Sequence, residues 1–175
     1  YFFTLHSSLF ILSHHPNLSS LTKTQRYGIV ISSKRKRGRC FMIDQKAKWI
    51  WINDNPEKNE YAIFEERLSY SGESAVFTVC AETDYILSVG GAVVSFGQFA
   101  GYPFQKYYDE IDISGALKPG NNVITLRVRY EGVNSATHID DGAGVIFSCT
   151  LDGKLALFSS KDTLCAYDEG YVQHD

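Results

Sequence analysis

The alternation of side-chain character with a period of two, running from about residue 46 to residue 158, constrains this chain more than any other feature. Residues 123–130 (VITLRVRY) display it most plainly. Val123, Thr125, Arg127 and Arg129 fall on one side of an extended chain, and Ile124, Leu126, Val128 and Tyr130 on the other. Residues 75–81 (AVFTVCA) also alternate, but neither set is charged, which suits a central strand buried on both faces. Residues 61–68 (YAIFEERL) form a further candidate strand. Residues 85–89 (YILSV), Gly90-Gly91 and residues 92–96 (AVVSF) read as a hairpin, because paired glycines supply the positive φ angles of a tight primed turn. Residues 144–151 (GVIFSCTL), Asp152-Gly153 and residues 154–158 (KLALF) read as a second. The connections at residues 71–74, 118–122 and 140–142 carry turn chemistry, with Pro119-Gly120 suited to a type II turn. Only residues 113–117 suit a helical turn, capped by Ser114 or Asp112. Many short strands between turns define an all-β chain, a two-sheet antiparallel β-sandwich or jelly roll.

Charge divides the chain. Residues 1–41 hold seven of the 17 Lys and Arg and none of the 20 Asp and Glu. The only methionine, Met42, stands where the composition changes. Residues 1–41 are therefore expected to be an upstream-translated or disordered tail, with Met42 as the natural start. Two rivals are a targeting leader, suggested by the apolar opening, and a nucleic-acid arm, suggested by KRKRGR at residues 34–39. The leader reading lacks a basic segment ahead of the apolar run and a small-residue cleavage site. Residues 42–160 are the expected sandwich domain, and residues 161–175 the start of a truncated following segment. No apolar run reaches the roughly 18 residues of a membrane-spanning helix, so no membrane span is expected.

Cys40, Cys80, Cys149 and Cys165 make no C-x-x-C pair, which disfavours a zinc knuckle. Cys80 and Cys149 read as small buried apolar residues, and a bridge between them requires that their strands face each other. Thiols in a reducing cytoplasm are the expectation.

Four segments in order resemble one family. Residues 46–53 (KAKWIWIN) are similar to the tryptophan-rich opening of α-L-rhamnosidase-like proteins, and residues 61–68 to the strand that follows it. Residues 81–94 (AETDYILSVGGAVV) resemble the pattern A-D-T-x-Y-x-L-x-V-N-G-x-x-V, with Glu82 in place of the Asp and Gly90 in place of the Asn. Residues 107–128 resemble Y-x-D-x-x-D-I-x-x-L-x-x-G-x-N-x-I-x-x-x-V, a pattern shared with sugar-binding jelly rolls of β-galactosidase-type enzymes. The resemblance implies a galactose-binding-domain-like sandwich, the N-terminal non-catalytic domain of a bacterial α-L-rhamnosidase-like glycoside hydrolase. It also implies that the catalytic acids belong to a separate helical barrel. This chain alone is then no enzyme, with no catalytic residue and no cofactor. Its partners would be the missing catalytic domain and carbohydrate, not nucleic acid or membrane.

Residues 96–108 form the most aromatic loop of the chain. Phe99, Tyr102, Phe104, Tyr107 and Tyr108 are candidates for stacking on sugar faces or for docking against another domain. Trp49 and Trp51 alternate, so one is core and the other an interface residue; Trp51 is included among the candidates. Sugar hydrolysis needs two opposed carboxylates about 5–10 Å apart. The clusters at Asp109, Glu110 and Asp112 and at Asp140-Asp141 read instead as turn and cap chemistry. Asp140, Asp141 and Asp152 are weak calcium candidates, without an EF-hand spacing. His6, His14, His15, His138 and His174 share no local frame, which argues against a metal centre built from histidines.

Overall fold

The computed structural model describes residues 43–97, 106–136 and 138–170, together with the backbone of a short strand at Thr22–Lys23. The strands are β1 (Thr22–Lys23), β2 (Glu60–Tyr70), β3 (Ala75–Ala81), β4 (Asp84–Val89), β5 (Ala92–Gly97), β6 (Asp109–Asp112), β7 (Gly120–Tyr130), β8 (Val145–Leu151), β9 (Lys154–Phe158) and β10 (Leu164–Tyr167). They form two antiparallel sheets. One has the order β1-β10-β2-β7-β4-β5 and the other β6-β3-β8-β9. The sandwich expected from the alternation is therefore the fold.

The alternation selects the inward faces. In β7, Ile124, Leu126, Val128 and Tyr130 are buried, while their alternates are half-exposed. Directly across from them lie Ala62 and Phe64 of β2, and Tyr85, Leu87 and Val89 of β4. The second sheet answers with Phe77 and Val79 of β3 and Phe147 and Cys149 of β8. Phe77 and Phe147 stack with ring centroids 5.5 Å apart. Burial of one such ring stabilises the fold by about 1.5–3 kcal/mol.

Both expected hairpins form. Gly90 and Gly91 have φ of 56° and 84°, and Asp152 and Gly153 have 48° and 75°. These paired positive values match the twist of the flanking strands. The expected helical turn is a 3-10 turn at Ser114–Ala116, where the Asp112 carboxylate accepts the Ser114 N–H at 2.9 Å.

Three details depart from the sequence reading. β3 buries one face fully and leaves Val76 and Thr78 half-exposed. The sandwich also does not stop at residue 160. β10 pairs with β2 along its length, and Thr22–Lys23, inside the expected tail, pairs with β10. The alternation of β10 is too short to register, since four residues carry only one fully buried side chain, Cys165. Finally, Cys149 lies opposite Phe77 and Cys80 opposite Ile146. The two thiols sit three residues apart in register and on opposite faces, which rules out a bridge between them. Cys80, Cys149 and Cys165 are all buried thiols, and burial pushes that of Cys149 up to about 12.

Candidate functional site

The polar cluster of greatest chemical interest lies where the sheets exchange strands. Glu82 sits in the short link between β3 and β4, and its N–H donates to the Gly144 carbonyl at 2.9 Å. Its carboxylate is thereby placed among the residues that follow β7. Tyr130 ends β7, and His138, Asp140 and Asp141 belong to the loop leading to β8. Lys106 enters from the segment ahead of β6.

The two oxygens of Glu82 face different partners. Oε2 forms an ion pair with Lys106 Nζ, which also lies 3.5 Å from Asp141 Oδ2 and 5.9 Å from the centre of the Trp49 ring. Oε1 accepts the Asp141 N–H at 3.1 Å and lies 3.9 Å from His138 Nε2. Asp140 accepts the Tyr130 hydroxyl through Oδ2 at 3.1 Å and the Gly142 N–H through Oδ1 at 3.2 Å. Glu82 and His138 are each only 4% exposed. Burial pushes the Glu82 carboxyl above the ordinary carboxylate range, although the Lys106 ammonium pulls the other way. Burial, with the hydrogen bond to Asp140 second, pushes the Tyr130 hydroxyl up to about 12.

Sequence reasoning singles out neither Glu82 nor His138. They are far apart in the chain, and only the β3–β4 link and the β7–β8 loop bring them together. Two traces are visible in hindsight: Glu82 occupies a position where the rhamnosidase-like pattern has an acid, and His138 precedes Asp140 by two residues.

The three weak calcium candidates, Asp140, Asp141 and Asp152, do not come together. Asp140 and Asp141 precede β8, while Asp152 follows it and accepts the Ser74 N–H at 2.9 Å. A strand of this length separates them by about 20 Å. Trp51 is likewise corrected from docking candidate to core residue. Its ring packs 6.0 Å from Phe64 and 6.2 Å from Tyr130, and its Nε1–H donates to Glu60 at 2.6 Å. Trp49 is the half-exposed member of the pair. Of the aromatic loop, Tyr107 is 47% exposed and Tyr108 half-buried, whereas Phe99, Tyr102 and Phe104 lie outside the described residues. Of the acids of β6, Asp112 holds the 3-10 turn as turn chemistry predicts, whereas Asp109 departs from it and accepts the Tyr85 hydroxyl of β4 at 2.6 Å.

Two further surfaces stand out. At the outer edge of the larger sheet, β5 presents Val93 and Phe96, the latter 68% exposed. A shallow groove beside β10 is lined by Asn53, Glu57, Glu60 and Tyr167, and there Asn53 Nδ2 donates to Glu60 Oε1 and to the Tyr167 hydroxyl, each at 2.9 Å.

These features define a two-sheet antiparallel sandwich with a buried ionic cluster at one end. Among solved structures, the same fold occurs within α-L-rhamnosidases. A GH78 family rhamnosidase of Bacillus sp. GL1 matches with a TM-score of 0.65 and 26% identity over 70% of this chain and 13% of that one. The α-L-rhamnosidase of Streptomyces avermitilis, complexed with L-rhamnose, matches with a TM-score of 0.52 and 19% identity over 71% of this chain and 12% of that one. The resemblance seen in the sequence thus holds in three dimensions, and this chain spans only a small part of the length of those enzymes. No family model matches the chain, and no curated protein matches it.

Proposed function

We propose that this chain is a non-catalytic accessory module of an α-L-rhamnosidase-type glycoside hydrolase, which packs against a separate catalytic barrel and shapes the rim of its cleft. The observation that carries this reading is the partial match to the Bacillus rhamnosidase, which takes in most of this chain and about an eighth of that enzyme. The outward-facing Val93 and Phe96 of β5 supply an apolar surface suited to a neighbouring domain. Asp109 is engaged with the Tyr85 hydroxyl, Asp112 with the Ser114 N–H, and Glu82 in an ion pair with Lys106. Glycoside hydrolysis requires two acids opposed across a cleft, and in this reading they belong to the catalytic barrel. The coding sequence flanking this chain is the test. An in-frame helical region carrying paired acids supports the reading. Rhamnoside hydrolysis by the purified chain alone would overturn it.

One observation favours a second reading, a stand-alone carbohydrate-binding module. The groove at Asn53, Glu57, Glu60 and Tyr167 combines a half-exposed aromatic ring with amide and carboxylate groups, the chemistry that holds a sugar. Calorimetry with L-rhamnose and galactose would detect such binding. Its abolition by Tyr167→Ala would assign it to this groove.

A further inference from the structure

We propose that Glu82, His138 and Asp140 form a binding site for a divalent transition-metal ion of the zinc class, independent of the accessory role proposed above. One donor atom from each of the three residues lies within 4.8 Å of the other two. Donors about 2.0–2.2 Å from a shared tetrahedral ion stand about 3.4 Å apart. The 3.9 Å between Glu82 Oε1 and His138 Nε2 is close to that value, and drawing the Asp140 carboxylate in from at most 4.8 Å completes the set.

A second, independent observation points to a ligand. The His138 ring is almost fully buried, and its Nε2, directed at Glu82, has no hydrogen-bond partner among the described residues. A buried ring nitrogen without a partner forgoes a hydrogen bond that water would supply. Coordination to a metal would satisfy it. Charge points the same way. The carboxyl groups of Glu82, Asp140 and Asp141 outnumber the ammonium of Lys106 here. A divalent ion would balance the remainder. Lys106 occupies the Oε2 side of Glu82, while Oε1, which accepts the Asp141 N–H, faces His138.

The donor set selects the metal. Calcium prefers six to eight oxygens, whereas imidazole with carboxylates suits zinc and its neighbours. Such an ion would tie the β3–β4 link to the β7–β8 loop and so hold the two sheets together at this end.

The test is calorimetric titration of the full chain, stripped with a chelator, with ZnCl2, CaCl2 and MgCl2. The expected result is stoichiometric Zn2+ binding, weakened by at least about 100-fold in His138→Gln and unchanged in the double variant His14→Gln/His15→Gln. Binding of Ca2+ but not Zn2+ overturns the proposal. So does Zn2+ binding lost in the His14/His15 variant and kept in His138→Gln, or no binding at all. Should His138→Gln fail to fold, the Co2+-loaded wild type decides. Paramagnetically shifted ring signals assigned to His138 support the site, and their assignment only to His6, His14, His15 or His174 overturns it.

Discussion

Glu66 belongs to the inward-facing set of β2, opposite Ile124 and next in that set to Phe64 and Leu68. A carboxyl there is desolvated, and its pKa rises above 4.5. The Thr163 hydroxyl, which donates to Oε1 at 2.7 Å, opposes the rise, while Asp162 and Glu65 add to it. The folded state therefore holds this proton more tightly than the unfolded chain. The resulting stabilisation is complete below the unfolded value near 4.5 and is lost as pH rises through the higher folded value. Glu66→Gln keeps an acceptor for Thr163 and removes the charge. The variant should melt higher than wild type at neutral pH, with the gap closing as pH falls below about 4. Melting curves of the two proteins across pH check this, and a constant gap would refute it. Residue identity was legible from sequence only in part. The alternation of Trp49 and Trp51 dictates that one ring enters the core. It does not say which, because the choice depends on Ile50 bridging to Val145 and on Glu60 waiting for the Trp51 N–H.

At the scale of the element, long alternating segments announced themselves and short ones did not. β7 contains its expected residues 123–130 with both faces as read, but begins three residues earlier, at Gly120 inside the expected turn, and the two hairpins fall on their paired turn residues. β6 and β10 have four residues each, too few for a period to stand out from background. The tertiary contacts of β10 compensate for its length. Just past its end, the Asp168 N–H donates to the Tyr61 carbonyl at 2.9 Å, and its buried carboxylate forms an ion pair with Arg127 of β7. This pair clamps the end of β10 across β2 to the middle of the sheet. Asp168→Ala would leave a partly buried guanidinium without that counter-ion. The expected loss is about 2–3 kcal/mol, below the range for a fully buried pair because Arg127 remains 31% exposed. The urea midpoint should fall with no change in slope. Replacing both residues with leucine should recover most of the loss, since it also removes the partly buried charge that has lost this carboxylate.

At the scale of the whole molecule, the two sheets share one interior, and its limits are set by pairing rather than by composition. The polarity of residues 161–170 suggests a boundary at residue 160, yet β10 covers the open edge of β2 and buries Cys165 completely. The ionic cluster escaped notice for a related reason. It is assembled from three connections that are close only after both sheets have formed, and no local spacing encodes it. A chain cut to residues 42–160 tests where the domain ends. It keeps the sequence-defined sandwich but loses β10, the pairing with residues 62–65 and the counter-ion of Arg127. It also exposes the edge of β2, an eleven-residue strand rich in apolar side chains, to pairing with other chains. Against a chain of residues 42–170, the shorter one should melt at least about 10 °C lower, given that about 1 kcal/mol shifts the midpoint of a domain this size by roughly 3–6 °C. It should also aggregate at concentrations where the longer chain stays monomeric, as light scattering would register. Equal melting temperatures and equal solubility would mean that β10 is an appendage and that the sandwich closes without it.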